Sequence, residues 1–235
     1  MHESNGRACH VPSACCLVML IVWLLDPIDH ELGSKSYAEV YVAGHLSGTI
    51  PEPFGNVRGT NGGAETRFSD IPLKVALGGG GRIGWMTPLH WLGFEAGFTY
   101  TTPHLKRQQL TVTGSGPRPP GFTEQFEGAH FKMAMIPVAV MLSYPHEKIQ
   151  PYIGGGIGPV WGELTTVDGQ KGVSRVTLGV HAMGGMRVFL TKQVAAFSEY
   201  SYMRTRFDFD FGSSAGLSAV CGTHQVGIGL SFHFF

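Results

Sequence analysis

From Glu39 onward, apolar residues in this chain recur at every second position, the spacing of strands and not of helices. Residues 176–190, VTLGVHAMGGMRVFL, show the pattern in full. One face reads Val176, Leu178, Val180, Ala182, Gly184, Met186, Val188 and Leu190; the other mixes Thr177, Gly179, His181, Met183, Gly185, Arg187 and Phe189. Residues 92–100 repeat it, with Leu92, Phe94, Ala96, Phe98 and Tyr100 set against Gly93, Glu95, Gly97 and Thr99. At the end of the chain, Val226, Ile228, Leu230, Phe232 and Phe234 alternate with Gln225, Gly227, Gly229, Ser231 and His233. Such strands outrun the usual soluble strand of roughly 5–6 residues.

The pattern predicts eight strands, at about 39–47, 73–86, 92–102, 129–144, 149–164, 174–190, 194–209 and 217–235. Connections alternate in length. Short ones fall at Thr87–Trp91, Pro145–Lys148 and Thr191–Gln193, and long polar ones at 48–72, 103–128, 165–173 and 210–216. Short turns at one end, longer loops at the other and an even strand number predict an all-β fold: an eight-stranded antiparallel up-and-down transmembrane β-barrel. Its wholly apolar faces would meet lipid and its mixed faces would enclose the lumen.

The run PYIGGGIGPVWG, residues 151–162, fits this geometry. An eight-stranded barrel is only wide enough for its side chains to fill it, so inward Tyr, Arg, His and Met need neighbours without side chains. Pro159 lacks a ladder donor and predicts a bulge or the membrane rim.

Composition sharpens the picture. Glycine makes up 34 of 235 residues, about twice the usual share of roughly 7%. Charged residues are 14%, against roughly 25% in soluble domains. Lys and Arg equal Asp and Glu at 17 each, which gives no electrostatic reason to expect a nucleic-acid partner.

The N-terminal apolar run CCLVMLIVWLL, residues 15–25, is too short for a membrane helix, which needs about 20 residues. It suits a secretory signal over 1–38, cut after Ser36-Tyr37-Ala38, with a barrel domain over 39–235. Cys15 and Cys16 stand at the start of this run, whereas a lipid-anchor cysteine would follow it, so no lipid anchor is expected. The domain then keeps only Cys221 and no internal disulfide.

The segments LGGGGRIGWM, WLGFEAGFTY, PYIGGGIGPVWG and LGVHAMGGMRVFLTKQVAAFSEYSYMR, with the terminal Phe, resemble the eight-stranded OmpA-like/OmpX-like outer-membrane β-barrel domain family. The resemblance covers essentially all of 39–235. It implies an outer-membrane location in a Gram-negative-type envelope, contact with outer-membrane lipids and lipopolysaccharide, and insertion by the barrel-assembly machinery. Leu230, Phe232, Phe234 and Phe235 would carry the assembly signal, although the alternation counts back from Phe234 and leaves Phe235 one residue beyond. The family includes adhesins, small pores and membrane stabilisers, so the resemblance names no activity.

Arg82, Glu95, Arg187 and Glu199 fall on the mixed faces. A charge facing lipid at mid-depth costs about 2–4 kcal/mol, so they are expected to point inward as a charge network. Strand pairing would place Arg82 near Glu95 and Arg187 diagonally near Glu199, with His181 a hydrogen-bonded neighbour. The same charges could line a gated pore. Trp85, Tyr100, Tyr144, Trp161, Tyr200 and Tyr202 are candidates for aromatic girdles.

No cofactor or metal is expected. Gly79-x-Gly81-x-x-Gly84 matches a dinucleotide fingerprint only formally, because Thr87-Pro88 and another strand follow where that motif needs a helix. His181 has no second ligand at suitable spacing. Ser231 and His233 share a face and raise a hydrolase dyad, without a clear orienting acid. FDFDF, residues 207–211, reads as a solvated rim ahead of a calcium or partner site. Loops 48–72 and 103–128 read as mobile surface segments and the first candidates for a surface ligand.

Three functions remain open: a non-enzymatic barrel with a filled lumen serving envelope integrity or surface interaction, a narrow pore or carrier for small molecules including hydrophobic ones, and an outer-membrane lipid-modifying enzyme.

Overall fold

A computed structural model describes residues 39–61, 64–113, 119–166, 172–212 and 215–234. The expected signal over 1–38 lies outside the described residues. The barrel wall is made by β1 (Glu39–Pro51), β4 (Ala76–Met86), β5 (Leu92–Thr101), β8 (Ala129–Met135) with β9 (Val138–Ser143), β10 (Ile149–Thr166), β11 (Val173–Phe189), β12 (Val194–Gly212) and β13 (Ala215–Phe234). Each neighbour pair is antiparallel, β8 and β9 share one position, and β13 closes on β1. The ring therefore has eight positions. Short segments β2 (Gly55–Asn61), β3 (Ala64–Arg67), β6 (Gln108–Thr111) and β7 (Thr123–Phe126) lie in the two long connections.

Alternation builds this wall because inward and outward residues take turns along every strand. Val138, Val140 and Leu142 are exposed while Ala139, Met141 and Ser143 are buried, and the other strands follow suit. Side chains such as Leu77, 84% exposed, would be a liability in water and face lipid here.

Register fixes the barrel's dimensions. Paired residues run from Val40 through Trp85, Phe94, Val140, Gly155, Ala182, Tyr202 and His224, and return to β1 at Ile50. The path closes ten residues further along β1, from 40 to 50. With a rise of about 3.3 Å per residue and a strand spacing of about 4.7 Å, that stagger tilts the strands by about 40° and gives a radius of roughly 8 Å. Ten residues of β1 then climb about 25 Å along the axis, the height of the apolar band on such barrels, about 25 Å. Each step of the path rises about 3 Å, which places Trp85 at the lower edge of the band and His224 about 21 Å above Val40.

Three features differ from the sequence reading. Of the two outcomes expected at Pro159, a bulge or the membrane rim, the bulge is absent: the register of β10 with β11 runs unbroken from Ile149 to Leu164. The irregularity appears across the ladder, where the chain between β8 and β9 breaks at Ile136–Pro137. The Ile136 amide bridges that gap toward β10, donating to the Pro159 carbonyl at 3.0 Å, and on the β5 side the Gly97 amide donates to the Pro137 carbonyl at 3.0 Å; neither proline has an N–H to give. The strands reach into the connections expected at 165–173 and 210–216: β10 extends to Thr166, β11 starts at Val173, β12 extends to Gly212 and β13 starts at Ala215. The connections at 48–72 and 103–128 are ordered hairpins in part, β2–β3 and β6–β7, and β2 pairs with β13.

Candidate functional site

The lumen has two levels. In the half nearer the short turns, Arg82 of β4 reaches Glu95 of β5 at 3.1 Å and Glu199 of β12 at 2.6 Å. Tyr41 donates its hydroxyl proton to the other Glu95 oxygen at 2.6 Å, and Tyr152 donates to Glu199 at 2.7 Å. Arg187, only 1% exposed, lies 3.9 Å from Glu95 and 4.2 and 4.9 Å from the ring centres of Tyr41 and Tyr152. The Arg82 guanidinium stacks over Phe197 at 4.5 Å. Two cations and two anions enclosed together balance in charge, the condition under which burial of ionised groups is tolerable.

Glycines make the room. A side chain at Gly84 would overlap the Tyr41 ring, and one at Gly185 would come within 2.7 Å of the Tyr152 hydroxyl. Tyr41 and Tyr152 were not singled out from the sequence, though both have the inward parity of the charges they satisfy.

The pairing differs from expectation in one respect. The β11–β12 register sets Glu199 opposite Gly185 and so diagonal to Arg187, as expected, yet Arg187 joins Glu95, while Arg82 and Tyr152 share one Glu199 oxygen. His181 points inward, yet its Nδ1 is buried without a hydrogen-bond partner among the described residues, as are His45 Nδ1, Ser47 Oγ and Thr223 Oγ1. A cavity of about 10 Å³ beside His181, Gln225 and Thr99 has room for about one water.

Above this level the inward face turns apolar. Phe131, Met133, Val160, Leu164, Met203, Phe207 and Phe209 line the wall, and Phe54, Val57, Ile71, Leu73 and Leu105 fold in from the connections to meet them. Phe131 contacts Phe54 edge-on at 5.2 Å and Phe207 at 5.6 Å. Phe54 and Ile71 exchange backbone hydrogen bonds of 2.8 and 3.1 Å, which staples the first connection across the mouth. This overturns two readings. Loops 48–72 and 103–128 are not simply mobile surface, and FDFDF is not a solvated rim: Phe207 and Phe209 are buried, while Asp208 and Asp210 turn outward toward Arg206 and Arg175, each at 3.5 Å. The alternation carries on past the membrane, so every second residue still faces inside. At the mouth, burial, with His130 and Lys74 nearby, lowers the proton affinity of His104.

Ser231 and His233 also lie inside, 2.8 Å apart. Both are buried beneath Tyr41, which stacks on His233 at 5.3 Å, and the serine hydroxyl reaches the Ala195 carbonyl at 3.4 Å. A substrate would have to displace the lumen packing to touch them.

On the outer wall, Trp85 and Tyr144 are exposed near the short turns and Tyr100 near the opposite end; Trp161 and Tyr202 are half-buried, and Tyr200 is exposed. Leu230, Phe232 and Phe234 face outward, and Phe235 lies outside the described residues.

Residues 35–234 match the outer membrane protein beta-barrel domain family. The chain belongs to that family. Its structure is similar to that of the outer membrane protein OprG from Pseudomonas aeruginosa, with a TM-score of 0.52, 14% identity, and coverage of 86% of this chain and 98% of that one. It is also similar to Neisserial surface protein A, with a TM-score of 0.50, 14% identity, and coverage of 83% and 97%. At such identities the likeness shows the fold alone. No curated protein matches the chain. Family membership places the protein in the outer membrane of a Gram-negative-type envelope.

Proposed function

We propose that the protein is a non-enzymatic, non-conducting barrel that contributes to envelope integrity or surface interaction through its outer connections. One observation carries this reading: the lumen is filled at two successive levels, by the Arg82–Glu95–Glu199–Arg187 network and by the apolar cluster around Phe54 and Phe131. A filled interior suits a stabilising or displaying role better than passage. The reading includes a signal removed after Ala38, and insertion directed by Leu230, Phe232 and Phe234 together with Phe235. Planar-bilayer recording of the purified barrel tests it. No unitary steps are expected, and stable steps at neutral pH would overturn it. Loss of the protein should raise the sensitivity of cells to detergent, and the mass of the mature chain reads the cut.

A second reading, a carrier for small apolar molecules, has one observation in its favour. A depression of about 870 Å³ opens on the wall where Gly44, Gly80 and Gly229 thin it, between Leu46, Met186 and Ile228. Uptake of an apolar dye into proteoliposomes, abolished by Gly44→Leu, would favour it.

A further inference from the structure

High on the outer wall, at the level estimated for His224, polar side chains gather where lipid tails give way to headgroups. The outward row of β12 reads Ala196, Ser198, Tyr200, Tyr202, Arg204; beside it on β13 come Val226, His224 and Gly222; on β1, Ile50 is followed by Glu52 just past the strand end. The Tyr200 hydroxyl lies 2.6 Å from His224 Nδ1, and His224 Nε2 lies 3.2 Å from Glu52 Oε1. Tyr202 donates to Glu52 Oε2 at 3.4 Å. The two tyrosine rings flank the imidazole, with centroids 6.0 and 4.9 Å from it.

Gly222 is what lets this cluster form. A Cβ there would collide with the Glu52 carboxylate, which lies flat on the wall at that point, and the Glu52 amide donates to the Gly222 carbonyl at 2.8 Å. Glu52 is thus held against the barrel by β12 and β13 and is no loose loop side chain. On the other side of Gly222, Arg204 is its register partner, exposed and without an ion pair among the described residues.

A carboxylate and a guanidinium therefore flank one glycine, two strand spacings or about 10 Å apart at the backbone, next to the faces of two tyrosines. An anionic headgroup would meet Glu52 unfavourably, and an uncharged one would leave Arg204 without a counter-charge. A quaternary ammonium could fill the aromatic faces but has no N–H for the carboxylate. A headgroup with a phosphate at one end and a primary ammonium at the other satisfies every group, through charge-assisted hydrogen bonds at both ends. We propose that the wall around Gly222 binds a phosphoethanolamine headgroup, with its phosphate on Arg204 and its ammonium on the Glu52 carboxylate that His224 and Tyr202 hold in place. The headgroup could belong to a glycerophospholipid or to a glycolipid decorated with phosphoethanolamine.

Native mass spectrometry of the whole barrel, released from detergent with added lipid, tests this. Phosphatidylethanolamine, phosphatidylglycerol, phosphatidylcholine, and lipid A with and without phosphoethanolamine are the probes. Retention of phosphatidylethanolamine or of decorated lipid A above its partners is expected, and whichever is retained names the source. Glu52→Gln and Arg204→Gln should each weaken that retention about tenfold or more, the equivalent of one charge-assisted hydrogen bond, while Ser198→Ala leaves it unchanged. Heat-modifiable migration on a gel confirms that each variant is folded. If a variant does not fold, the wild-type series decides alone. Equal retention of the ethanolamine, glycerol and choline lipids, with no preference for decorated lipid A, overturns the proposal, as does a folded Glu52→Gln barrel that binds like wild type.

Discussion

Arg82 and Glu199 meet at 2.6 Å although their strands, β4 and β12, are three positions apart in the ring. The contact ties together wall elements that share no backbone hydrogen bond, so it should report on closure of the barrel and not on one hairpin. Arg82→Met leaves Glu95 and Glu199 enclosed without their shared cation, at an expected cost of about 3–5 kcal/mol. Glu199→Gln keeps an acceptor for Tyr152 and should cost less, about 1–3 kcal/mol. Urea unfolding in detergent, followed for both single variants and the double variant, measures the coupling. An unchanged midpoint for Glu199→Gln would sink the idea that the network stabilises the barrel.

Two glycines of the barrel wall should behave oppositely. A Cβ on Gly156 would run into the Val138 carbonyl oxygen and come within 2.6 Å of the Ala139 Cα, both rigid backbone. On Gly44 the nearest atom would be 3.9 Å away. Gly156→Ala should therefore destabilise by about 1–3 kcal/mol through overpacking, and Gly44→Ala should be close to neutral. The folded fraction on an unboiled gel separates them, and equal behaviour would mean the close approach at Gly156 relaxes freely.

His104 gives the mouth a pH dependence. Burial, then His130 and Lys74, lowers its proton affinity below the usual histidine value. The folded mouth therefore binds a proton less readily than the opened one, and its stability is present above the ordinary pKa of about 6.5 and lost progressively as pH falls below it. The hydrogen-exchange protection factor at Leu105, whose amide donates to Ala129 at 2.9 Å, should fall on going from neutral to mildly acidic buffer. His104→Gln should flatten that dependence. A dependence that persists in the variant would assign it to another group.

How much of this was legible in the sequence follows from where parity decides and where it does not. Alternation alone puts Arg82, Glu95, Arg187 and Glu199 inside and Leu178, Phe94 and Val188 outside, because a one-residue slip would turn every side chain of a strand to the wrong face. Which arginine meets which glutamate depends on stagger around the closed ring. No single hairpin reveals that, and so Arg187 finds Glu95 instead of Glu199. The mouth was hidden for another reason. Phe207 and Phe209 continue the inward face beyond the lipid, where sequence no longer distinguishes an enclosed aromatic from an exposed one. What encloses them is Phe54 and Ile71, brought back from connections without a period of their own. Glu52 was hidden by a strand that runs to Pro51, past the predicted end at 47.

The two levels of the lumen should act as barriers in series, and conductance can separate them. Arg82→Met loosens the polar level but leaves the cap in place, so it should remain closed in planar bilayers despite its lower stability. Phe54→Ala removes a ring that is fully buried against Phe131 at 5.2 Å, a loss of about 3–5 kcal/mol of local packing. It should make the β2–β3 hairpin sensitive to protease added outside vesicles, yet also leave the barrel closed, because the guanidinium and carboxylates below still span the lumen. Only the double variant should show steps, and more often than the two single variants together. If Phe54→Ala alone conducts, the polar level is no barrier and Arg82 matters for stability alone. If the folded double variant stays silent, the remaining Met133, Met203 and Phe207 packing closes the barrel without either group, and the two-level account of the lumen fails.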